Sequence, residues 1–269
     1  MRLTFARYGF VCCAIGVLAA GLSAQEPSVG GLNPSSLAPG FTGNLTVTGG
    51  NLAGAKQLWL SFPAETKLAE GIEGNGTKAD QVVYAVTIPP TTAVGIHGLR
   101  VLTDKGVSPL RLVMVDDLPN VNSPGNNTTA ATAFALPGPC GVDGAVANQG
   151  LQYFKFTVTE NQRLAFEVLA RRIGSALDPM LRLLDAKGHE IAFSDDAPGL
   201  SGDSQFEHVF PTAGEYLLEL RDIRYQGGGY RLRVGDFPCA NTAYPLAVQR
   251  GATTAVTLAG IGTATAEAV

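Results

Sequence analysis

Along most of the chain, apolar and polar residues alternate one for one. Phe154, Phe156 and Val158 fall on one side of an extended segment, and Tyr153, Lys155 and Thr157 on the other. The same period runs through Leu164, Phe166 and Val168, and through Tyr216, Leu218 and Leu220. It recurs at Tyr230, Leu232 and Val234, with Arg231 and Arg233 at the alternate positions. A period of two predicts strands with one face in a core and the other in water, the pattern of an antiparallel sandwich. Arg231 and Arg233 are therefore expected on a wet face. Asp185–Gly188 and Gln226–Gly229 separate such strands and read as hairpin turns, in which glycine supplies the positive φ.

Earlier in the chain, Leu45–Thr48, Gln57–Phe62, Gln81–Ile88, Gly98–Thr103 and Leu110–Val115 are strand candidates. No apolar spacing of three and four residues extends beyond residue 25, so helix is expected to be scarce. The segment 118–132 is rich in Asn, Pro, Ser and Thr, which places a domain boundary there, with 119–125 as linker. The chain then reads as all-β, with two sandwiches at 27–118 and 126–238.

A repeat adds a third piece. Pro34, Gly40, Thr46 and Gly49 have the same spacing as Pro245, Gly251, Thr257 and Gly260. Residues 239–269 then read as the start of a further, incomplete module like the first. Its opening strand at Val256–Leu258 has no partner strands to follow, so order is expected to be poor after Tyr244.

The first 24 residues differ from the rest. Arg2 and Arg7 precede an apolar run, Tyr8–Leu22, that ends in Leu22-Ser23-Ala24. A basic start, a short apolar run and a small-residue exit predict a secretory signal peptide cut after Ala24. The run is too short to span a bilayer comfortably, and no later stretch is long enough. Export sets the thiol chemistry. Cys12 and Cys13 leave with the signal, while Cys140 and Cys239 flank the second sandwich and are expected to form a disulfide.

Composition narrows the function. The chain has 269 residues, 45% hydrophobic and 16% charged. So apolar a chain is not a disordered polyelectrolyte. Its 33 glycines never recur at every third position, which excludes collagen. The net charge is −4, with no Lys/Arg-dense stripe, so nucleic acid is not an expected partner. His97, His189 and His208 are dispersed without zinc-protease spacing, and there is no G-x-S-x-G elbow. Gly227-Gly228-Gly229 has no helix behind it to receive a phosphate. Arg171-Arg172 has two readings, a contact for an anionic glycan or carboxylate, or a wet strand edge with one arginine paired to a neighbouring acid. The expectation is a protein that is not an enzyme.

Residues 126–238 resemble the bacterial pre-peptidase C-terminal domain. The resemblance rests on Tyr153-Phe154-Lys155-Phe156, the run Ala170–Pro179, Leu181–Asp185 with Gly188, Asp195-Asp196, Ala213–Tyr216 and Tyr230-Arg231-Leu232. It implies a small jelly-roll-like sandwich, a non-catalytic appendage of secreted enzymes and surface proteins. Residues 27–118 resemble an immunoglobulin-like module of the IPT/TIG type, through Pro34, Gly40, Thr46–Gly49, Ile88-Pro89 and Gly98–Val101.

Collagenase members of the first family bind calcium through an acidic opening segment and a later acidic pair. Here those places hold Asn122–Asn127, Asn148 and Gln152, without carboxylates. Ca²⁺ affinity follows carboxylate count, so that site does not carry over. A second cluster, Asp195, Asp196 and Asp203 on a Gly/Ser-rich loop, is the remaining calcium candidate. Its alternative is a turn whose aspartates cap backbone N–H groups.

Two functional readings follow. In the first, the chain is a secreted, periplasmic or surface protein that binds, adheres or spaces, with an extracellular polymer, envelope protein or polysaccharide as partner. In the second, it is the accessory region of an exported peptidase or other hydrolase whose catalytic domain lies elsewhere.

Overall fold

The computed structural model describes residues 26–263. The expected signal peptide, its cut after Ala24, and Cys12 and Cys13 lie outside them. The described residues are all-β, without an α-helix, and no helix is long and apolar enough to cross a membrane.

Nine strands build the first sandwich. They are β1 (Ser28–Asn33), β2 (Ser36–Leu37), β3 (Thr42–Gly50), β4 (Ala55–Leu60), β5 (Glu65–Leu68), β6 (Gln81–Thr87), β7 (Gly95–Thr103), β8 (Gly106–Val107) and β9 (Arg111–Val115). One sheet has the order β1-β3-β6-β5 and the other β2-β9-β7-β4, with β8 paired to β7. The inward residues of the two sheets meet in one core. Leu45, Val47, Val82 and Tyr84 from one sheet pack with Leu58, Leu99, Val101 and Val113 from the other.

The second sandwich holds β10 (Asn120–Asn122), β11 (Phe134–Ala135), β12 (Cys140–Val146), β13 (Leu151–Val158), β14 (Gln162–Leu169), β15 (Pro179–Leu184), β16 (Glu190–Asp195), β17 (Gln205–Phe210), β18 (Gly214–Asp222) and β19 (Gly228–Gly235). Its sheets run β10-β12-β19-β14-β17 and β11-β13-β18-β15-β16. Phe154, Phe156, Phe166 and Phe210 dominate its core, joined by Leu218, Leu220, Leu232 and Val234. The alternation read from sequence thus points inward as expected. The stretch 119–125 is not a free linker, because Asn120–Asn122 pairs in parallel with Gly141–Asp143 as an edge strand of the second sandwich.

The sequence reading fails on the outer face of the first of these sheets. Arg231 is 2% exposed and Arg233 5% exposed. Their face is not wet, because the end of β9 and the β2 segment of the first sandwich lie over it.

The repeat is structural as well as sequential. The last two strands, β20 (Cys239–Tyr244) and β21 (Thr257–Ile261), form an antiparallel hairpin. In β1–β3 the partners are Ser28 with Gly50, Val29 with Gly49, Gly31 with Thr48, Leu32 with Val47 and Asn33 with Thr46. In β20–β21 they are Cys239 with Ile261, Ala240 with Gly260, Thr242 with Ala259, Ala243 with Leu258 and Tyr244 with Thr257. Every pair recurs at the same offset, and the bulge falls at the same step. The bulge explains one glycine in each copy. A Cβ on Gly49 would lie 1.9 Å from the Ser28 carbonyl oxygen, and one on Gly260 2.0 Å from that of Cys239. Contrary to expectation, Val256–Leu258 leads into a paired strand. The copy's core position remains uncovered, because Val248 is 55% exposed where its counterpart Leu37 in the first sandwich is 1% exposed.

The shared bulge makes a prediction. Gly49→Ala should destabilise the first sandwich by about 1–3 kcal/mol, the usual range for a forced overlap. Gly260→Ala should abolish amide protection in Thr257–Ile261 and leave the second sandwich's unfolding midpoint unchanged. Hydrogen exchange read by mass spectrometry checks both.

Candidate functional site

The junction between the sandwiches is built from charge. Asp116 follows β9 directly, is fully buried, and donates its own N–H to the Leu37 carbonyl. Its carboxylate accepts from Arg231 Nε at 2.7 Å and from Arg233 Nε at 3.2 Å. Strand alternation places both arginines on one face of β19, two residues apart, so one carboxylate reaches both. Arg231 also donates through Nη1 to Asp143 at 2.9 Å and to Ser36 at 2.6 Å. Arg233 donates through Nη1 to Glu167 at 2.7 Å, and its guanidinium lies 4.2 Å from the Phe237 ring centre. Glu167 accepts in turn from Arg172, which also donates to Asp203 at 2.8 Å. The result is one chain of alternating charge: Asp143, Arg231, Asp116, Arg233, Glu167, Arg172, Asp203. The sequence points to Asp203 and Arg172 for other reasons, and marks Arg231 and Arg233 only as residues at outward strand positions.

That chain decides the fate of the candidate calcium loop. Asp203 is fully buried, and its carboxylate accepts from the backbone N–H of Ala170, Arg171 and Arg172 and from Arg172 Nε. Its acceptor positions are filled by protein donors, which leaves none for a cation. Asp195 and Asp196 do not join it, and among the described residues no group of three or more acidic, histidine or cysteine side chains is placed to hold a metal. The expected triad is therefore corrected to a backbone cap by Asp203. Asp195 is left with a buried Oδ1 that has no hydrogen-bond partner. Burial, and then the charges of Asp196 and Asp178, hold its pKa above the ordinary carboxylate value. Asp178 is paired with Arg171 at 3.1 Å and Arg224 at 2.9 Å.

The place where the resembled family would hold calcium is likewise filled by the protein itself. Ser123 donates to Asn127 Oδ1 at 3.2 Å and to Gln152 Oε1 at 3.1 Å. Asn127 Nδ2 donates to the Tyr153 carbonyl, Gln152 Nε2 to the Ala145 carbonyl, and Tyr230 OH to Gln152 Oε1. Neutral amides locked to each other and to backbone carbonyls do not fit a calcium ion, which takes six to eight oxygens and draws its affinity from carboxylates.

The expected Cys140–Cys239 disulfide is absent, and both cysteines are free. Sheet geometry gives the reason. Cys140 faces Val234 in the β12–β19 ladder and lies in the core. Cys239 lies on the other face, where its thiol donates to Glu167 at 3.2 Å beside Arg233. The sheet stands between the two sulfurs. Burial pushes the Cys140 thiol up to about 11, and burial with the Glu167 charge pushes Cys239 up to about 12. A nucleophilic cysteine needs the opposite shift. The histidines are also spent on local contacts. His97 bonds the Ala93 carbonyl, His189 pairs with Asp185, and His208 stands edge-on to Phe210.

Two surface features remain. The first is the outer face of β4 and β7, where the chain's single tryptophan, Trp59, is 47% exposed. Arg100 stands opposite it across the ladder. Leu110, 49% exposed, lies beside it over the backbone of Gly98, where a Cβ would meet Leu110 at 2.8 Å and Trp59 at 3.6 Å. An exposed indole on a flat sheet face is absent from the sequence pattern except as an apolar residue out of phase. Trp59 alternates with the buried Leu58 and Leu60.

The second feature is a cleft of about 310 Å³ between the sandwiches, bordered by Arg111, Ser35, Asp143, Ile173 and Arg231. On the other side of the junction a cleft of about 470 Å³ is bordered by Glu167, Arg172 and Arg233, which are paired to one another.

No protein-family model matches the chain, and no curated protein matches it. Among solved structures it is similar to a pre-peptidase C-terminal domain of a collagenase from Bacillus anthracis. That similarity has 15% identity and a TM-score of 0.32, over 38% of this chain and 93% of that one. It is also similar to PliG of Aeromonas hydrophila, a periplasmic inhibitor of g-type lysozyme, at 12% identity and a TM-score of 0.30, over 44% and 95%. A third similarity is to SGBP-B of a Bacteroides ovatus mixed-linkage glucan utilization locus, in complex with a heptasaccharide. It has 11% identity and a TM-score of 0.26, over 74% and 72%.

Two predictions follow from the charged groups. Asp116→Asn keeps the shape of the side chain but leaves two buried arginines without their shared counter-charge. It should cost about 3–5 kcal/mol in urea unfolding. Asp195→Asn should raise the melting temperature at pH 7 and leave it unchanged near pH 3. The folded pKa of Asp195 is raised, so its neutral form favours the native state. That contribution is complete below the unfolded value, about 3.9, and is lost as pH rises through the folded one. Calorimetric scans of both proteins at the two pH values check the sign.

Proposed function

We propose that the chain is an exported, non-catalytic binding protein that engages extracellular polysaccharide. In this reading the first sandwich is an immunoglobulin-like module and the second a pre-peptidase C-terminal-type module. Residues 239–263 open a further module of the first type, a reading supported by the repeated register of β1–β3 in β20–β21. The protein works in the periplasm, at the cell surface or outside the cell.

The observation that carries the binding role is the Trp59 face. A half-exposed indole on a rigid sheet is desolvated at low entropic cost when an apolar surface covers it. The C–H face of a pyranose ring is such a surface, and its equatorial hydroxyls reach outward to polar neighbours. Arg100 is such a neighbour, fixed by its own bond to the Ser108 carbonyl at 3.0 Å. A few placed polar groups around an apolar platform are the usual composition of a small-ligand site. A catalytic role finds no support in the histidines or thiols, for the reasons given above.

Trp59 is also its own reporter, because no other tryptophan contributes to the emission. Titration with soluble neutral glucans should change its fluorescence in a saturable way. Trp59→Ala should weaken binding, read by calorimetry, at least tenfold, about 1.4 kcal/mol. Equal affinity in the variant, or no response to any polysaccharide offered, would overturn the reading.

A further inference from the structure

Arg111 stands apart from the other arginines at the junction. Arg172, Arg231 and Arg233 each meet one or more carboxylates. The Arg111 side chain has no hydrogen bond or ion pair among the described residues, and its Nε is shielded from solvent without an acceptor. Its position follows from β9. Arg111 opens that strand, and β2 pairs with β9 only at Met114 and Val115. The edge of β9 beside Arg111 is therefore left open, and the interdomain cleft lies along it.

One cation at this cleft is unpaired. Asp143 and Arg231 border it and pair with each other at 2.9 Å. Arg111 borders it without a carboxylate of its own. Beside it lie the hydroxyls of Ser35 and Ser175 and the apolar side chains of Leu32 and Ile173. The two terminal nitrogens of Arg111 carry no hydrogen bond and are not shielded with Nε, and such a pair of parallel donors selects an acceptor that is planar, anionic and two-pronged. The volume of about 310 Å³ is at the lower end for small-molecule sites.

We propose that this cleft is a carboxylate subsite that takes a uronic acid residue, with Arg111 holding its carboxylate and the serines its ring hydroxyls. The proposal deepens the polysaccharide reading above and rests on it for the ligand class, but it stands at a different place in the fold from Trp59.

The test uses the full chain and two probes that differ only at the carboxyl groups, trigalacturonate and its methyl ester. Calorimetry should show the acid binding at least tenfold more tightly than the ester. Arg111→Gln should bring the acid down to the level of the ester. Arg111→Lys, which keeps the charge and loses the fork, should recover part of the difference. Circular dichroism melts show that each variant is folded before its affinity is read. Equal binding of acid and ester, or an Arg111→Gln protein that still prefers the acid, would overturn the subsite. In that event Trp59-dependent binding of neutral glucan would leave the wider reading standing. Preference for the acid that needs Arg111 but is indifferent to Trp59→Ala would uphold the subsite and move the primary contact away from the tryptophan.

Discussion

Everything between the two sandwiches depends on one buried carboxylate. Asp116 sits where the first sandwich ends, and two arginines of the second sandwich meet on it. Removing such groups from water is expensive, and their attraction repays the cost only when the geometry is good and the remaining donors are satisfied. Here the satisfaction is extended outward. Arg231 is completed by Asp143, Ser36 and Asn120, and Arg233 by Glu167. A network of this kind is a poor source of net stability, but it tolerates few alternative arrangements. Its effect is to hold the two modules in one orientation.

That orientation gives the surface its chemistry. Because β9 runs into the junction, its open edge at Arg111 forms one wall of a cleft beside the second sandwich. The other arginines there meet carboxylates, and Arg111 is the one that meets none. The Trp59 face is spared by the same arrangement, since the second sandwich covers the Met114 end of β9 and leaves β4 in solvent. The same pairing within the protein ties two loops of the second sandwich. Asp203 is held by Arg172 and three backbone N–H groups, and the Ser123–Asn127–Gln152 cluster closes the other loop with neutral amides. In both places the loop is tied by protein donors of the kind that a cation would otherwise make unnecessary.

The sequence alone determined the fold class, most strands, their inward faces and the repeated spacing near the C-terminal end. These are set by local alternation and by glycines at fixed steps, and a period of two is visible without any knowledge of neighbours. Phe154, Phe166 and Leu232 therefore point inward as the alternation requires. What only the tertiary structure decided is the destiny of the outward residues. Arg231 and Arg233 have the same pattern as any exposed charge, and they are buried because a second domain covers them. Asp203 looked like a member of an acidic trio, and it is a cap because Ala170–Arg172 folds back over it. Cys140 and Cys239 bracket one domain in the chain, yet they point to opposite faces of one sheet. Alternation records which side of its own strand a residue takes. It carries no information about what another part of the chain brings to that side.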